Sequence, residues 1–321
     1  MNQKTDLEHI MILLDSAAPT FCYYETEKSS ERIIPFEVLK DGIGFAAERS
    51  LGITAIYGRT PLPDEHRELL EPIPHIRILP YDEKMYYNDE DLVVMDISHH
   101  PSFPYGILDR EITHLIVNIP IDRVNEMYVF IENNYRFFKR LSVIYKGLEQ
   151  ANESTLNAFR LSLQKLRPLL HNLLSREQLT EMGFVTDRMI LNKMNNCNAG
   201  LSHVTLAPDG NFYVCPGFYY DRQSTAGSIK TDIPIPNRQL YEYSHAPVCE
   251  KCDCYQCKRC VYLNRRTTLE VNTPSHAQCV VSHHERNLSG FLLDKLQSRG
   301  RMLNLPAIKP LYYLDPMEII Q

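Results

Sequence analysis

The sequence contains no tryptophan, so neither a tryptophan belt at a membrane surface nor a tryptophan stacking platform is available. It also lacks an excess of basic charge. Its 34 Lys and Arg residues stand against 40 Asp and Glu residues, which argues against a strongly basic nucleic-acid binder. No hydrophobic run reaches the ~20 apolar residues that span a bilayer. The N-terminus has neither the basic start nor the longer apolar core of a signal peptide. We therefore expect a cytoplasmic protein without a membrane segment.

Cysteine is the residue type that stands out in an otherwise ordinary globular composition of 321 residues, 44% hydrophobic and 23% charged. Eight of the nine cysteines lie between Cys197 and Cys279, and Cys22 stands alone. Because thiols stay reduced in the cytoplasm, this clustering favours metal or iron–sulfur ligation over disulfides. At roughly 150 residues per domain, the length favours about two domains.

Short runs rich in Ile, Val and Leu alternate with helical segments over the first 150 residues. The predicted strands are His9–Leu14, Ile53–Tyr57, Ile76–Leu79, Leu92–Ile97, Thr113–Ile119 and Arg140–Tyr145. A helix over Pro35–Ser50 separates the first two strands, and a helix over Arg123–Phe138 precedes the sixth. This alternation indicates βαβ units in a parallel sheet, and six such strands form an open, partial barrel.

The second half of the sequence is predicted to hold a helical connector and a cysteine-rich domain. A long helix over Ala151–Met182, broken near Pro168, precedes a hairpin whose turn contains Asp209-Gly210. A last helix is expected over His283–Arg299. The expected domains are a barrel-like domain over 1–150, a connector over 151–190, a cysteine-rich α+β domain over 191–290 and a helix end with a tail over 291–321.

The spacing of the eight clustered cysteines is compatible with two complete four-thiolate sites. Cys197 is followed by twelve residues, Gly210, four residues and Cys215. After 33 residues comes a dense block, Cys249-x2-Cys252-x-Cys254-x2-Cys257-x2-Cys260, and Cys279 follows after 18 more residues. Four thiolates are the donor set of iron–sulfur clusters and also of closed structural zinc sites.

This order of cysteines resembles the SPASM domain of radical SAM peptide-modifying enzymes, over residues 195–286. The dense block departs from the family, because it is shorter and holds five cysteines where the family usually has four. The resemblance implies one auxiliary 4Fe-4S cluster held by Cys197, Cys215 and Cys260. It implies a second cluster held by Cys249, Cys252, Cys257 and Cys279. Cys254 either completes the first site or exchanges roles with Cys257, and zinc in both sites is the alternative.

The SPASM resemblance also implies a radical SAM partial barrel of six βα units ahead of the cysteine-rich domain. In that family a C-x3-C-x-aromatic-C motif follows the first strand. Here the corresponding loop keeps Cys22 and Tyr24, but Ala18 and Glu25 stand at the two other cysteine positions. One thiolate cannot hold a cluster that binds SAM. The alternative reading of Cys22 is a small buried hydrophobic residue.

A second SAM-contacting motif is altered in the same way. The family carries G-G-E-P after the second strand, whereas this chain reads Gly58-Arg59-Thr60-Pro61. The Arg59 guanidinium would repel the positive charges of SAM. Bound SAM is therefore not expected, and the barrel is interpreted as degenerate. An unrelated α/β domain is the alternative for this half of the chain.

The whole chain most resembles the CXXX-repeat peptide maturases, SPASM-bearing proteins linked to small ribosomal peptides with Cys at every fourth position. The resemblance rests on segments such as CDCYQCKRCVYLNRR and TPSHAQCVVSHHERN. It implies maturation of a Cys-rich precursor peptide, with the clusters docking the peptide or relaying electrons beside an active radical SAM partner protein. Whether this chain is the maturase or an inactive partner stays open. The alternative function is a zinc-stabilised peptide- or protein-binding module with no redox role.

Other polar residues are weaker candidates. Lys258-Arg259 and Arg265-Arg266 suggest a nucleic-acid patch, but beside thiolates they are better explained as charge compensation. His283 and His284 point about 100° apart on a helix, so surface or capping positions are expected for both. The residues that lie near predicted strand ends and are candidates to line a pocket are Asp15, Glu25, Asp96, His99, His100 and His114.

Overall fold

The computed structural model describes residues 7–26, 33–82, 87–97, 103, 105, 106, 108–176, 181–194, 197–222, 225–231, 233–250 and 252–309. The chain divides into two compact units. Unit 1 consists of Met1–Val94 and Asn198–Ala246, and unit 2 consists of Met95–Cys197 and Pro247–Gln321. The domain boundaries expected from the sequence stay a prediction.

Strands and helices alternate through the first half of the chain. The strands are β1 (His9–Leu13), β2 (Gly52–Ile56), β3 (Ile76–Pro80), β4 (Leu92–Asp96), β5 (Ile112–Pro120), β6 (Phe138–Lys146), β7 (Glu181–Met182), β8 (His203–Leu206), β9 (Asn211–Tyr213) and β10 (Gly227–Ser228). The α-helices are α1 (Phe36–Glu48), α2 (Asp64–Leu70), α3 (Met127–Asn134), α4 (Glu153–Leu174), α5 (Thr186–Ile190), α6 (Pro216–Tyr220), α7 (Val261–Thr268) and α8 (His276–Gln297). Within the described ranges, no helix has the length and apolar character needed to cross a membrane.

Unit 1 is built on a mostly parallel sheet with the strand order β10-β9-β8-β1-β2-β3-β4. Strand β1 pairs in parallel with β2 on one side and with β8 on the other, so that Ile10 lies opposite both Ile53 and Val204. Both faces of β1 are covered, because Ile10, Ile12 and Leu13 are fully buried. Such continuous apolar strands are typical of parallel sheets, and the first four predicted strands are confirmed.

Helix α1 covers part of this sheet through an apolar stripe. Its buried residues recur at helical spacing and include Leu39, Gly42 and Phe45. A Cβ atom on Gly42 would lie 2.4 Å from a methyl group of Leu206 on β8, so glycine permits the close approach of helix and strand. The Phe45 ring lies 4.9 Å from that of Phe212 on β9.

The predicted hairpin in unit 1 is confirmed. Strands β8 and β9 pair antiparallel, with Thr205 opposite Tyr213 and Leu206 opposite Phe212. Gly210 in the turn has a φ of +81°, which is a conformation that glycine adopts without strain. The Asp209 side chain accepts a hydrogen bond from Asn211 N at 3.0 Å and thereby supports the turn.

Unit 2 combines the parallel strands β5, β6 and β7 with the two long helices α4 and α8. Helix α4 packs along α8. The apolar stripe of α4 includes Phe159 and Leu170, and that of α8 includes Leu288 and Leu292. The predicted strands over Thr113–Ile119 and Arg140–Tyr145 are confirmed with slightly wider bounds.

Two helices of unit 2 do not have the bounds that the sequence predicts. The segment expected as one helix over Arg123–Phe138 is a 3-10 turn over Ile121–Glu126 followed by α3. Helix α4 continues through Pro168 and ends at Leu174, not at Met182. Its start is fixed by Asn152, whose side chain accepts a hydrogen bond from Thr155 N at 3.0 Å.

The last predicted helix begins earlier than expected. Ser275 and Gln278 form a reciprocal capping box, so α8 starts at His276 and not at His283. Cys279 therefore lies inside the helix, one turn before His283. This shift decides which side chains of α8 face the cysteine-rich loop.

Candidate metal centre

Unit 2 gathers several metal-ligating side chains around one small cavity. The cavity has a volume of about 20 Å³, which is room for one water-sized group or a single ion. Its potential donors are Cys249, Cys252, Cys254, Cys257, Cys279 and His283. We call this site the thiol pocket. It brings together all four residues expected for the second cluster, with the extra thiol of Cys254.

Side chains of α8 hold the cysteine loop, residues 252–260, against the helix. Lys258 N donates to Ser282 Oγ at 2.8 Å, and Gln278 Nε2 donates to Lys258 O at 3.0 Å. The loop forms neither helix nor strand, so its buried backbone groups need partners of this kind. The loop thiols are thereby placed against the helix that bears Cys279 and His283.

Neighbouring cysteines of the loop have opposite hydrogen-bonding roles. The sulfur of Cys252 accepts a hydrogen bond from Cys254 N, and the sulfur of Cys257 accepts one from Arg259 N, both at 3.4 Å. A backbone N–H aimed at sulfur favours the thiolate form, which is the form that binds metals. The fully buried Cys254 thiol donates to Ser282 O at 3.3 Å and needs its proton for that bond. The Cys257 thiol also donates, to Met194 Sδ at the longer distance of 3.8 Å.

Burial keeps the metal-free thiols protonated. It raises the pKa of Cys249 to about 12 and that of Cys252 to about 11, and it also raises the pKa values of Cys254 and Cys257. A metal that binds here must displace these protons, so its affinity rises with pH.

A buried charge cluster lies beside the cysteine loop. The carboxylate of Glu285, fully buried, accepts hydrogen bonds from Tyr145 Oη at 2.8 Å and Arg188 Nη2 at 2.6 Å, and it pairs with Lys258 Nζ at 3.1 Å. Burial opposes the charge of Arg188, but Glu285 and then Cys254 and Cys257 outweigh it and raise the pKa of Arg188. The charge of Arg188 favours the thiolate forms of Cys254 and Cys257, but burial outweighs it and leaves both pKa values raised.

His283 is a site residue that the sequence reasoning placed wrongly. It was expected at the surface or at a helix cap, but it is 1% exposed and its Nε2 lies 3.6 Å from the sulfur of Cys252. The neighbouring His284 points elsewhere, and its ring lies 6.4 Å from that of Phe159. The signal available in the sequence was the i, i+4 spacing of Cys279 and His283, not the adjacent pair of histidines.

The thiol pocket fits a metal in its chemistry but is not closed around one. Among the described residues, no three His, Cys, Asp or Glu side chains stand at distances that hold a metal ion. Thiolates with one imidazole are the donors that zinc and iron prefer. The N–H groups aimed at Cys252 and Cys257 and the nearby positive charge suit bound thiolates. Binding of an ion or a cluster here therefore requires the donor side chains to rearrange.

The cysteines expected at the first cluster belong to different units. In unit 2, Cys197 is exposed, whereas Cys260 is buried directly before α7. In unit 1, half-buried Cys215 directly precedes α6. The grouping of these three thiols stays a prediction from the sequence.

In unit 1, the loop after β1 puts the three aligned positions in different surroundings. Ala18 is buried in the core, Cys22 is half-buried and Glu25 is exposed. The Tyr24 ring is buried and stacks on that of Tyr220 with centroids 5.4 Å apart. Burial raises the pKa of Tyr24, and the neighbouring Tyr220, Cys22 and Cys215 raise it further.

The glycine kept from the second SAM-contacting motif has a packing role. A Cβ atom on Gly58 would lie 1.9 Å from Asp15 Oδ2, so a larger residue here would force the Asp15 side chain to move. The Asp15 carboxylate is fully buried, and its Oδ1 accepts a hydrogen bond from Ala17 N at 2.8 Å. Arg59 beside it is exposed. The close contact of Asp15 and Gly58 explains the glycine without any ligand.

The remaining candidates have ordinary surroundings or lie outside the described residues. His99 and His100 are outside them. His114 is hydrogen-bonded through Nε2 to Ser142 Oγ at 2.9 Å across β5 and β6. Lys258 and Arg259 are largely buried, so they do not form a basic surface patch.

Fold and site together define an α/β protein with a mostly parallel sheet and a cysteine-rich pocket. No family model matches the chain, and no curated protein matches it in sequence. SuiB of Streptococcus suis bound to the precursor peptide SuiA aligns with a TM-score of 0.47 at 12% identity, over 84% of this chain and 75% of that chain. SuiB bound to S-adenosylmethionine aligns with a TM-score of 0.45 at 12% identity, over 85% and 75% of the two chains. TM-scores below 0.5 are too low for the ligands or activity of SuiB to be transferred to this chain.

Proposed function

We propose that this chain takes part in the maturation of a ribosomally synthesised, Cys-rich peptide, as a SPASM-type metal–thiolate protein. The observation that carries the proposal is the thiol pocket. Cysteines that are as far apart in the sequence as Cys249 and Cys279 line one cavity, together with a buried histidine. Their order in the sequence is the one that resembles the SPASM domain.

The proposed cofactors are two auxiliary 4Fe-4S clusters, one of them in the thiol pocket. From the resemblance, the residues that would hold it are Cys249, Cys252, Cys257 and Cys279. Both thiols of the ambiguous pair donate a hydrogen bond, Cys254 to Ser282 O at 3.3 Å and Cys257 to Met194 Sδ at 3.8 Å. The sulfur of Cys257 also accepts a hydrogen bond from Arg259 N, and this bond supports Cys257 as the ligand. When bound, such a cluster supplies an electron relay or a docking point for a peptide thiol.

We propose that the chain does not cleave SAM and works beside an active radical SAM partner protein. Two of the three cluster positions after β1 hold Ala18, which is buried, and Glu25, which is exposed. A single thiolate at Cys22 is too few for a SAM-binding cluster. The role left to this chain is to hold the precursor peptide and to pass electrons.

Anaerobic reconstitution of the full chain tests this function. We expect about eight iron atoms with equal sulfide per chain and an EPR signal after reduction. We also expect no 5′-deoxyadenosine from SAM. Formation of 5′-deoxyadenosine would refute the inactive-partner role, and the absence of iron and sulfide would refute the cluster function.

The second candidate function is a zinc-stabilised peptide- or protein-binding module. The volume of the thiol pocket favours it, because about 20 Å³ admits one ion but not a four-iron cluster without rearrangement. Purification with about two zinc ions per chain and no sulfide would support this function. Iron that stays bound with sulfide after zinc competition would exclude it.

A further inference from the structure

The side chain of His283 is placed as a metal ligand would be. In a tetrahedral site with a Zn–S bond of about 2.3 Å and a Zn–N bond of about 2.05 Å, the nitrogen and sulfur ligands lie about 3.6 Å apart. His283 Nε2 and Cys252 Sγ are 3.6 Å apart and both line the thiol pocket. In the metal-free chain the two atoms are hydrogen-bonded to each other, and their separation equals the edge length of such a site.

Two short sequence elements bring further donors to the same cavity. Cys249 and Cys252 form a C-x2-C pair before and in the cysteine loop. Cys279 and His283 form a C-x3-H pair on α8, where the i, i+4 spacing puts both side chains on one face of the helix. A C-x2-C pair opposite a second pair spaced by a few residues is the ligand pattern of Cys₃His zinc sites. Both pairs line the thiol pocket.

The surroundings of the histidine support a role inside the pocket. His283 is 1% exposed, so its imidazole is withdrawn from solvent beside the thiols. On the preceding residue, Ser282 holds the cysteine loop through its bond from Lys258 N, so loop and helix are fixed to each other beside His283. The pocket volume of about 20 Å³ suits a single ion.

We propose that His283 binds the metal of the thiol pocket through Nε2 and completes a donor set of Cys249, Cys252, Cys279 and His283. The inference rests on the thiol pocket being a metal centre, as in the proposed function. It differs from the four-thiolate set in replacing Cys257 by an imidazole nitrogen.

Cobalt(II) is a suitable probe, because its visible spectrum reports the ligand set of a tetrahedral site. We expect the anaerobic full chain to bind Co²⁺ with the bands of a three-sulfur, one-nitrogen site, and Zn²⁺ to displace it. If the chain is reconstituted with iron, pulsed EPR of the reduced protein should show coupling to one imidazole nitrogen. These measurements need no variant, so they do not depend on whether a mutant folds.

Matched variants complete the test. We expect His283→Ala to weaken Co²⁺ binding at least tenfold and His283→Cys to restore binding with a four-sulfur spectrum. His284→Ala, the same substitution on the neighbouring residue, should leave both affinity and spectrum unchanged. A wild-type spectrum without any three-sulfur, one-nitrogen component, or equal affinities of the two alanine variants, would overturn the role of His283. A wild-type chain that binds neither cobalt nor iron would instead refute the proposed function.

Discussion

Individual cysteines of the cysteine loop differ in whether the sulfur donates or accepts a hydrogen bond. The Cys254 thiol donates a hydrogen bond to Ser282 O, whereas the sulfur of Cys252 accepts one from Cys254 N. We predict that Cys254→Ser keeps full metal content, because a hydroxyl can donate the same bond. Cys252→Ser should lose the metal of the thiol pocket, since a hydroxyl is a poor ligand for zinc or iron.

Metal analysis of the two anaerobically purified variants by mass spectrometry measures this difference. The pair is well matched, because the same substitution is made two residues apart in one loop. Loss of metal from Cys254→Ser with retention in Cys252→Ser would reverse the assignment of roles.

The sequence was informative about which residues belong to the site and less so about their roles. The resemblance to the SPASM domain implied that Cys249, Cys252, Cys257 and Cys279 hold one cluster, and all four line the same cavity, together with Cys254. It did not separate Cys254 from Cys257, because the difference lies in tertiary contacts: Cys254 Sγ meets Ser282 O on α8, whereas Cys257 Sγ accepts from Arg259 N in the loop. His283 was missed because its burial depends on where α8 begins.

At the scale of secondary-structure elements, Glu285 connects β6, α5 and α8. Its buried carboxylate meets Tyr145, Arg188 and Lys258. We predict that Glu285→Gln lowers the free energy of unfolding by about 3–5 kcal/mol, because two buried cations lose their counter-charge. Tyr145→Phe removes one hydrogen bond to the carboxylate and should cost about 2 kcal/mol.

Denaturant unfolding of both variants at neutral pH gives these free energies. Glu285→Gln reports the loss of the buried negative charge, whereas Tyr145→Phe reports the loss of one hydrogen bond in the same cluster. A Glu285→Gln protein that is as stable as Tyr145→Phe would show that the carboxylate charge is not needed to balance Arg188 and Lys258.

The paired strands β5 and β6 contain a half-buried histidine, His114, that makes stability depend on pH. Burial, and next the charge of Arg140 opposite it in the sheet, lower the pKa of His114 to about 4. The unfolded chain takes up this proton near pH 6.5 and the folded chain only near pH 4. The contribution of His114 to the free energy of unfolding is therefore fully present above pH 6.5 and is lost as the pH falls to 4.

We predict that the wild type loses up to about 3 kcal/mol of unfolding free energy relative to His114→Gln between pH 6.5 and pH 4. Glutamine can keep the hydrogen bond to Ser142 without taking up a proton. Urea titrations of both proteins across this pH range measure the difference in their free energies of unfolding. The titration of all other groups affects both proteins equally and cancels in this difference. Parallel pH profiles would show that His114 titrates normally in the folded chain.

Strands could be predicted from the sequence more reliably than helix ends. Buried parallel strands such as β1 are continuous apolar runs, so their pattern is visible without tertiary context. The ends of helices depend on side-chain bonds such as the capping box of Ser275 and Gln278, which the apolar periodicity does not report. That one boundary moved Cys279 into the helix and turned His283 towards the thiols, so a local error in the fold became an error in the site.

For the whole molecule, metal binding and folding are expected to be coupled. The cysteine loop has no regular secondary structure and is held by α8 through single side chains, so a metal that joins loop and helix adds a cross-link present only in the folded state. A ligand that binds the folded state alone, at a hundred times its Kd, stabilises it by about 2.7 kcal/mol. We therefore predict that Zn²⁺ raises the Tm of the full chain and that a chelator reverses the rise.

Two serine variants decide whether the thiol pocket is the source of that stabilisation. Cys279→Ser removes a thiol that both proposed donor sets contain, and its Tm should respond less to Zn²⁺ than that of the wild type, because only the second proposed site can still bind the metal. Cys22→Ser removes a thiol of unit 1 and should keep the full response. Differential scanning fluorimetry with and without chelator measures all three proteins. Because the unfolded chain still carries eight thiols in either variant, binding of zinc to unfolded protein affects both equally. An equal response of the two variants would thus place the stabilising metal outside the pocket formed by the cysteine loop and α8.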